Sequence, residues 1–181
     1  MKAAKNIFIA ITLFSICEIS VSAQTRRLSV GAEFALPAGS FADDFGIGFG
    51  GSIRYEVRED SKYSFMGTVG FLSMSAKESG GTTQTMIPIQ IGGKYYFSEE
   101  NGFYFAYEFG VHLITALAPE KTVNGVTTPS SSVSSTDLSF APGIGYLMSN
   151  LEVGVKYQVV VASSNTYGYF AARIAYVLGG K

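Results

Sequence analysis

The sequence predicts an all-β chain folded as an eight-stranded antiparallel up-and-down transmembrane β-barrel. Three observations carry the prediction: eight runs in which apolar and polar residues alternate, connections that alternate between short and long, and aromatic residues gathered at one end of the runs. Composition sets the outer bounds. Of 181 residues, 47% are hydrophobic and only 15% charged, which excludes a disordered chain. A single cysteine excludes a disulfide scaffold. A formal net charge of −1 offers no basic field for nucleic-acid phosphates.

The first segment reads as an address. Lys2 and Lys5 precede or open the uncharged run 6–17, and Val21-Ser22-Ala23 follows. A basic region, an apolar core of about a dozen residues and a small-x-small site make a secretory signal. That core is too short for a spanning helix, which takes roughly 20 apolar residues. Residues 1–23 are therefore expected to be a cleaved signal peptide and 24–181 a single barrel domain. Cys17 raises the rival of a lipoprotein signal, but the bulky Ile16 before it departs from the small residue of such sites. Cleavage after Ala23 removes the cysteine.

The eight runs follow in order. In 28–36, Leu28, Val30, Ala32, Phe34 and Leu36 share one face while Ser29, Gly31, Glu33 and Ala35 take the other. The same phase recurs in 45–57, 63–73, 85–97, 103–115, 138–148, 151–161 and 169–178. Alternation with period two is the mark of a strand. Most runs span roughly 9–13 residues, longer than the 5–6 of globular strands and near the 9–11 that cross a membrane at a tilt.

Between them, the connections 58–62, 98–102 and 149–150 are short, whereas 37–44, 74–84, 116–137 and 162–168 are long. Long loops at one end and tight turns at the other, with both termini at the tight end, is the layout of an outer-membrane barrel. On the apolar face, Tyr55, Tyr63, Phe65, Tyr95, Phe97, Phe103, Phe105, Tyr146 and Tyr176 crowd the short-turn end. Amphipathic rings collect where hydrocarbon meets headgroups, so these nine are expected to form the periplasmic aromatic girdle.

The opposite face carries Glu33, Arg54, Glu56, Lys94, Glu108, Glu152, Lys156 and Arg173, four acids and four bases among Gly, Ser and Ala. Such a self-neutralising set is expected to form a charge network in the lumen. A buried charge without a partner is expensive. Eight strands leave an interior that side chains just fill, so no large open pore is expected. The alternative is a soluble periplasmic lipocalin-like barrel, with apolar residues inside around a ligand. Its exterior would be densely charged and poor in glycine.

Three stretches point to a family: Val30-Gly31-Ala32-Glu33-Phe34 leading to Phe49-Gly50-Gly51, the run Ile87-Pro88-Ile89-Gln90-Ile91-Gly92-Gly93-Lys94-Tyr95-Tyr96-Phe97, and the alternating C-terminus. Over 28–178 the chain resembles the outer-membrane β-barrel domain of small porin-family proteins of Gram-negative bacteria. The resemblance implies assembly by the outer-membrane insertion machinery, with Ile174, Tyr176 and Leu178 as the signal it reads. The chain ends Gly179-Gly180-Lys181 where many relatives end on an aromatic.

Sites of chemistry are sparse. The sequence holds no CxxC, HExxH, P-loop or GxSxG pattern, and neither cofactor nor metal is expected. His112, with Glu108 and Ser139, offers a less favoured alternative, an acyl-transfer set like that of lipid A-modifying barrels. Glu108 and His112 lie four residues apart on one strand, about 13 Å and beyond hydrogen-bond reach. The expected function is non-enzymatic: a structural barrel, or one that binds partners through its external loops. Loop 116–137, rich in Ser and Thr, exceeds the roughly 12–15 residues of ordinary loops. Its arms either extend strands five and six to offer an edge to an external partner or form a polar lid. Expected partners are thus outer-membrane lipid, the insertion machinery and an external partner at 116–137, with no nucleic acid.

Overall fold

A computed structural model describes residues 25–58, 62–78, 81–98, 101–123, 126–162 and 165–179. The expected signal peptide, 1–23, lies outside them. The chain runs through β1 (Thr25–Ala38), α1 (Phe41–Asp44), β2 (Phe45–Arg58), β3 (Tyr63–Ala76), β4 (Thr83–Tyr96) and β5 (Gly102–Ala118). A small hairpin, β6 (Lys121–Val123) and β7 (Val126–Thr128), precedes β8 (Ser131–Met148), β9 (Leu151–Val161) and β10 (Thr166–Leu178). Eight strands close in the order β1-β10-β9-β8-β5-β4-β3-β2, and every neighbouring pair is antiparallel. Closure is made by β1 against β10, from Leu28 opposite Leu178 to Ala38 opposite Gly168. A closed sheet leaves no edge for its backbone groups to seek elsewhere.

Alternation decides which side of each strand faces out. Val30, Phe49, Ile53, Val69, Ile89, Phe109, Phe140, Val155 and Ile174 are exposed, while the residues between them point into the barrel. Connections are short at one end of the barrel. At Ser149-Asn150, Ser149 takes a left-handed φ of 48°, which suits a two-residue hairpin. The Asn150 side chain then donates to the Val177 carbonyl at 3.0 Å, tying this turn to the last strand.

The long-loop end is uneven, and here the structure refines the sequence reading. β5 continues to Ala118 and β8 starts at Ser131, so the two pair from Gly102–Leu147 up to Ala118–Ser131. β9 stops at Val161, opposite Leu138. Much of the expected loop 116–137 is therefore a ladder raised above the rim. Ser, Thr and Val pair well as strand, yet carry no apolar alternation to announce it. Segment 37–44 likewise contains the single turn α1, whose Phe41 is buried.

Small bore brings backbones close inside the barrel. A Cβ at Gly92 would collide with the Tyr107 carbonyl, and one at Gly50 with that of Phe71. These mid-strand glycines permit close approach. Gly92→Val is expected to lower barrel stability by about 1–3 kcal/mol through forced backbone shifts. Urea unfolding of the refolded protein, followed by heat-modifiable gel migration, measures the loss.

Candidate functional site

The lumen is filled in layers. Nearest the short turns, Met66, Tyr96, Tyr104, Ala106, Leu147 and Val177 pack as one apolar cluster. Above it lie the charges. Gln90, Gln158 and His112 come next, and a second apolar cluster at the long-loop end includes Leu72, Met74, Met86, Ile114 and Val160. Phe41 of α1 joins that upper cluster, with its ring 4.5 Å from Tyr167 and 4.9 Å from Phe45.

The charged layer is built from six strands. Glu152 on β9 receives Lys94 of β4 at 2.6 Å, Arg54 of β2 at 2.8 Å and Arg173 of β10 at 3.1 Å. Arg54 also reaches Glu108 of β5, and Lys156 of β9 meets that carboxylate at 2.8 Å. Lys94 bridges to Glu56 at 2.7 Å. Glu33 of β1 stands further off, 3.9 Å from Arg173. Seven of these eight residues are buried and Lys156 is partly so, with a side chain 12% exposed. Charge compensation is mutual and close, which is what a dry interior demands.

Neutral groups add hydrogen bonds to the layer. Tyr96 donates to Glu56 at 2.7 Å and Tyr104 to Glu152 at 3.1 Å. Lys94 also lies over the Tyr104 ring at 4.6 Å, a cation–π contact. Above, Gln90 donates to Ser139 and to Gln158 at 3.2 Å, and its own carbonyl accepts from Lys156. Arg54 and Arg173 find further acceptors in Thr68 and in Ser52 and Ser29. Tyr96, Tyr104, Gln90 and Gln158 are not among the residues that the charge pattern of the sequence marks as members. Their parity was the available signal, since each lies in phase with the charged residues. The apolar plugs were missed for another reason: Met74 lies past the end of its alternating run, and Phe41 lies in a connection.

Glu108, His112 and Ser139 are each engaged elsewhere. His112 shares a 2.9 Å hydrogen bond with Tyr169, Glu108 is held by Arg54 and Lys156, and Ser139 accepts from Gln90. No acyl-transfer set is assembled from these three. Among the described residues no group of three or more His, Cys, Asp and Glu could hold a metal ion.

On the outside, the nine aromatics lie toward the short-turn ends of their strands. Tyr63 packs on Tyr95 at 5.0 Å between centroids, Tyr95 on Phe97 at 5.4 Å, and Phe103 on Tyr146 at 4.7 Å. Tyr55, Phe65, Phe105 and Tyr176 are exposed beside them.

No family model and no curated protein matches the sequence. Solved structures do match. The attachment invasion locus protein Ail of Yersinia pestis superposes with a TM-score of 0.61 at 13% identity, covering 87% of this chain and 100% of Ail. The N-terminal β-barrel domain of Pseudomonas aeruginosa OprF gives 0.57 at 10% identity, covering 86% and 100%. Neisserial surface protein A gives 0.51 at 16%, covering 86% and 97%. The fold is thus the eight-stranded outer-membrane β-barrel. Its exposed apolar belt makes lipid its natural solvent.

Glu152→Gln should cost about 3–5 kcal/mol of unfolding free energy, because Arg54, Lys94 and Arg173 would lose their shared partner. Lys121→Met, outside the barrel wall, should stay within about 0.5 kcal/mol. Urea titrations of both variants in detergent micelles check the contrast.

Proposed function

We propose that this chain is a small, non-enzymatic integral protein of the outer membrane that serves as a structural barrel and docks an external protein partner on its raised β5–β8 ladder. The observation that carries this reading is polarity turned inside out, with apolar side chains exposed around the wall and balanced charges within. A soluble ligand-binding barrel has the reverse arrangement. On this reading residues 1–23 direct export, Ile174, Tyr176 and Leu178 on the last strand guide insertion, and the nine aromatics mark the periplasmic interface.

Apolar clusters above and below the charged layer support a barrel without a large open pore. Residues 131–137 of β8 pair with β5 on one side and extend beyond β9 on the other. A strand edge of that kind accepts an added strand through main-chain hydrogen bonds. Ail has been crystallised in complex with a heparin analogue, sucrose octasulfate. A polyanion suits this chain poorly: toward the long-loop end, Asp43, Asp44, Glu78, Glu120 and Asp137 outnumber Lys77 and Lys121. The better fit is a neutral or basic extended peptide.

Cell fractionation with planar-bilayer recording tests the core of this reading. The protein should partition with the outer membrane and give no large, stable conductance. Recovery in the soluble periplasm, or a large steady channel, would overturn it.

A further inference from the structure

Among the outward-phase glycines of the described strands, Gly67 on β3 and Gly93 on β4 stand in neighbouring rows of the lipid-facing belt. Across the wall, Tyr55 of β2 pairs with Gly67 of β3, Gly67 with Ile91 of β4, and Ile91 with Phe109 of β5, so one row holds three bulky side chains and one gap. In the neighbouring row, Val57 pairs with Phe65, Phe65 with Gly93, and Gly93 with Tyr107. Gly93 is covered, since a Cβ there would lie 2.8 Å from the Tyr107 hydroxyl. Gly67 is not, for a Cβ there would meet nothing within 4 Å. The result is an apolar groove of about 430 Å³ walled by Tyr55, Phe65, Ile91, Tyr107 and Phe109. That volume lies within the range of small-ligand pockets, roughly 300–1,000 Å³.

The second row continues to a charge. Arg26 of β1 pairs with Val57, and it is exposed on the same outward phase as Leu28 and Val30. Rows of paired residues run across strands, and barrel strands tilt by roughly 35–45°, so such a row climbs the wall. Arg26 stands next to the start of β1 at the short-turn end, whereas Tyr107 lies well inside β5. The row therefore begins at a cation on the rim and rises past the groove into the apolar belt.

We infer that this surface is a phospholipid site, with the headgroup phosphate on Arg26 and one acyl chain laid in the groove over Gly67. An acyl chain is narrow and flexible enough for a slot one side chain wide, and the groove's lining carries no charged side chain. Guanidinium recognises phosphate by charge-assisted hydrogen bonds. The inference rests on the membrane reading above. Failure of that reading would show separately, as a protein soluble without detergent.

Native mass spectrometry of the full barrel, titrated with phosphatidylglycerol and with a diacylglycerol of the same chains, tests it. The natural protein should bind one phosphatidylglycerol at least tenfold more tightly than the diacylglycerol. Arg26→Gln should erase that preference, and Gly67→Phe, which fills the slot, should weaken both lipids at least tenfold. Heat-modifiable migration confirms that each variant is folded, and Gly67→Leu replaces Gly67→Phe if the larger ring blocks assembly. Binding of phosphatidylglycerol within twofold of the natural protein in both Arg26 and Gly67 variants would overturn the site. So would a barrel dimer that Gly67→Phe dissociates, which would make a second copy the occupant.

Discussion

Three cations from three strands converge on one carboxylate: Arg54, Lys94 and Arg173 all reach Glu152 across the bore. The rest of the interior follows from the condition this imposes. An eight-stranded barrel has no room for bulk water, so each buried charge must be answered by another within a few ångströms. Seven of the eight charges meet that condition within 3.1 Å, Glu33 stands 3.9 Å from Arg173, and Tyr96, Tyr104, Thr68 and Ser52 take up hydrogen-bonding capacity left over. Because the partners sit on β2, β4, β5, β9 and β10, the network ties together strands that are not neighbours in the wall.

Outside and inside are coupled through the same geometry. Apolar clusters flank the charged layer at either end of the lumen, and in such a confined interior a lowered dielectric strengthens each ion pair while raising the cost of breaking one. Glycines at Gly50 and Gly92 let neighbouring backbones approach closely enough for a narrow bore. On the outer surface the same residue type shapes the lipid-facing belt, where Gly93 is covered by Tyr107 and Gly67 leaves an open slot. A single compositional feature thus serves the packing of the interior and the contour of the exterior.

Much of the fold was legible because period-two alternation over a long strand assigns every residue to one face or the other. Val153, Glu152 and Leu151 could be sorted to outside, inside and outside from sequence alone. Pairing was not legible: Arg54 and Glu152 lie 98 residues apart, and only the closed wall brings them together. Strand ends faded where apolar alternation gave way to Ser and Thr, which is why Ser131–Thr136 read as loop although it pairs with β5. Phe41 gave no periodic signal either, since its place in the upper plug depends on the path of a connection.

A double-mutant cycle on Arg54→Met and Glu152→Gln addresses the central claim most directly, that the lumen is held by mutually compensating charges. Unfolding free energies of the two single variants and the double variant would be measured in the same micelles. The account predicts coupling of about 2 kcal/mol or more, with the double variant less damaged than the sum of the singles. Additive losses within about 0.5 kcal/mol would contradict it and mark the lumen as hydrated, its ion pairs incidental to the barrel's stability.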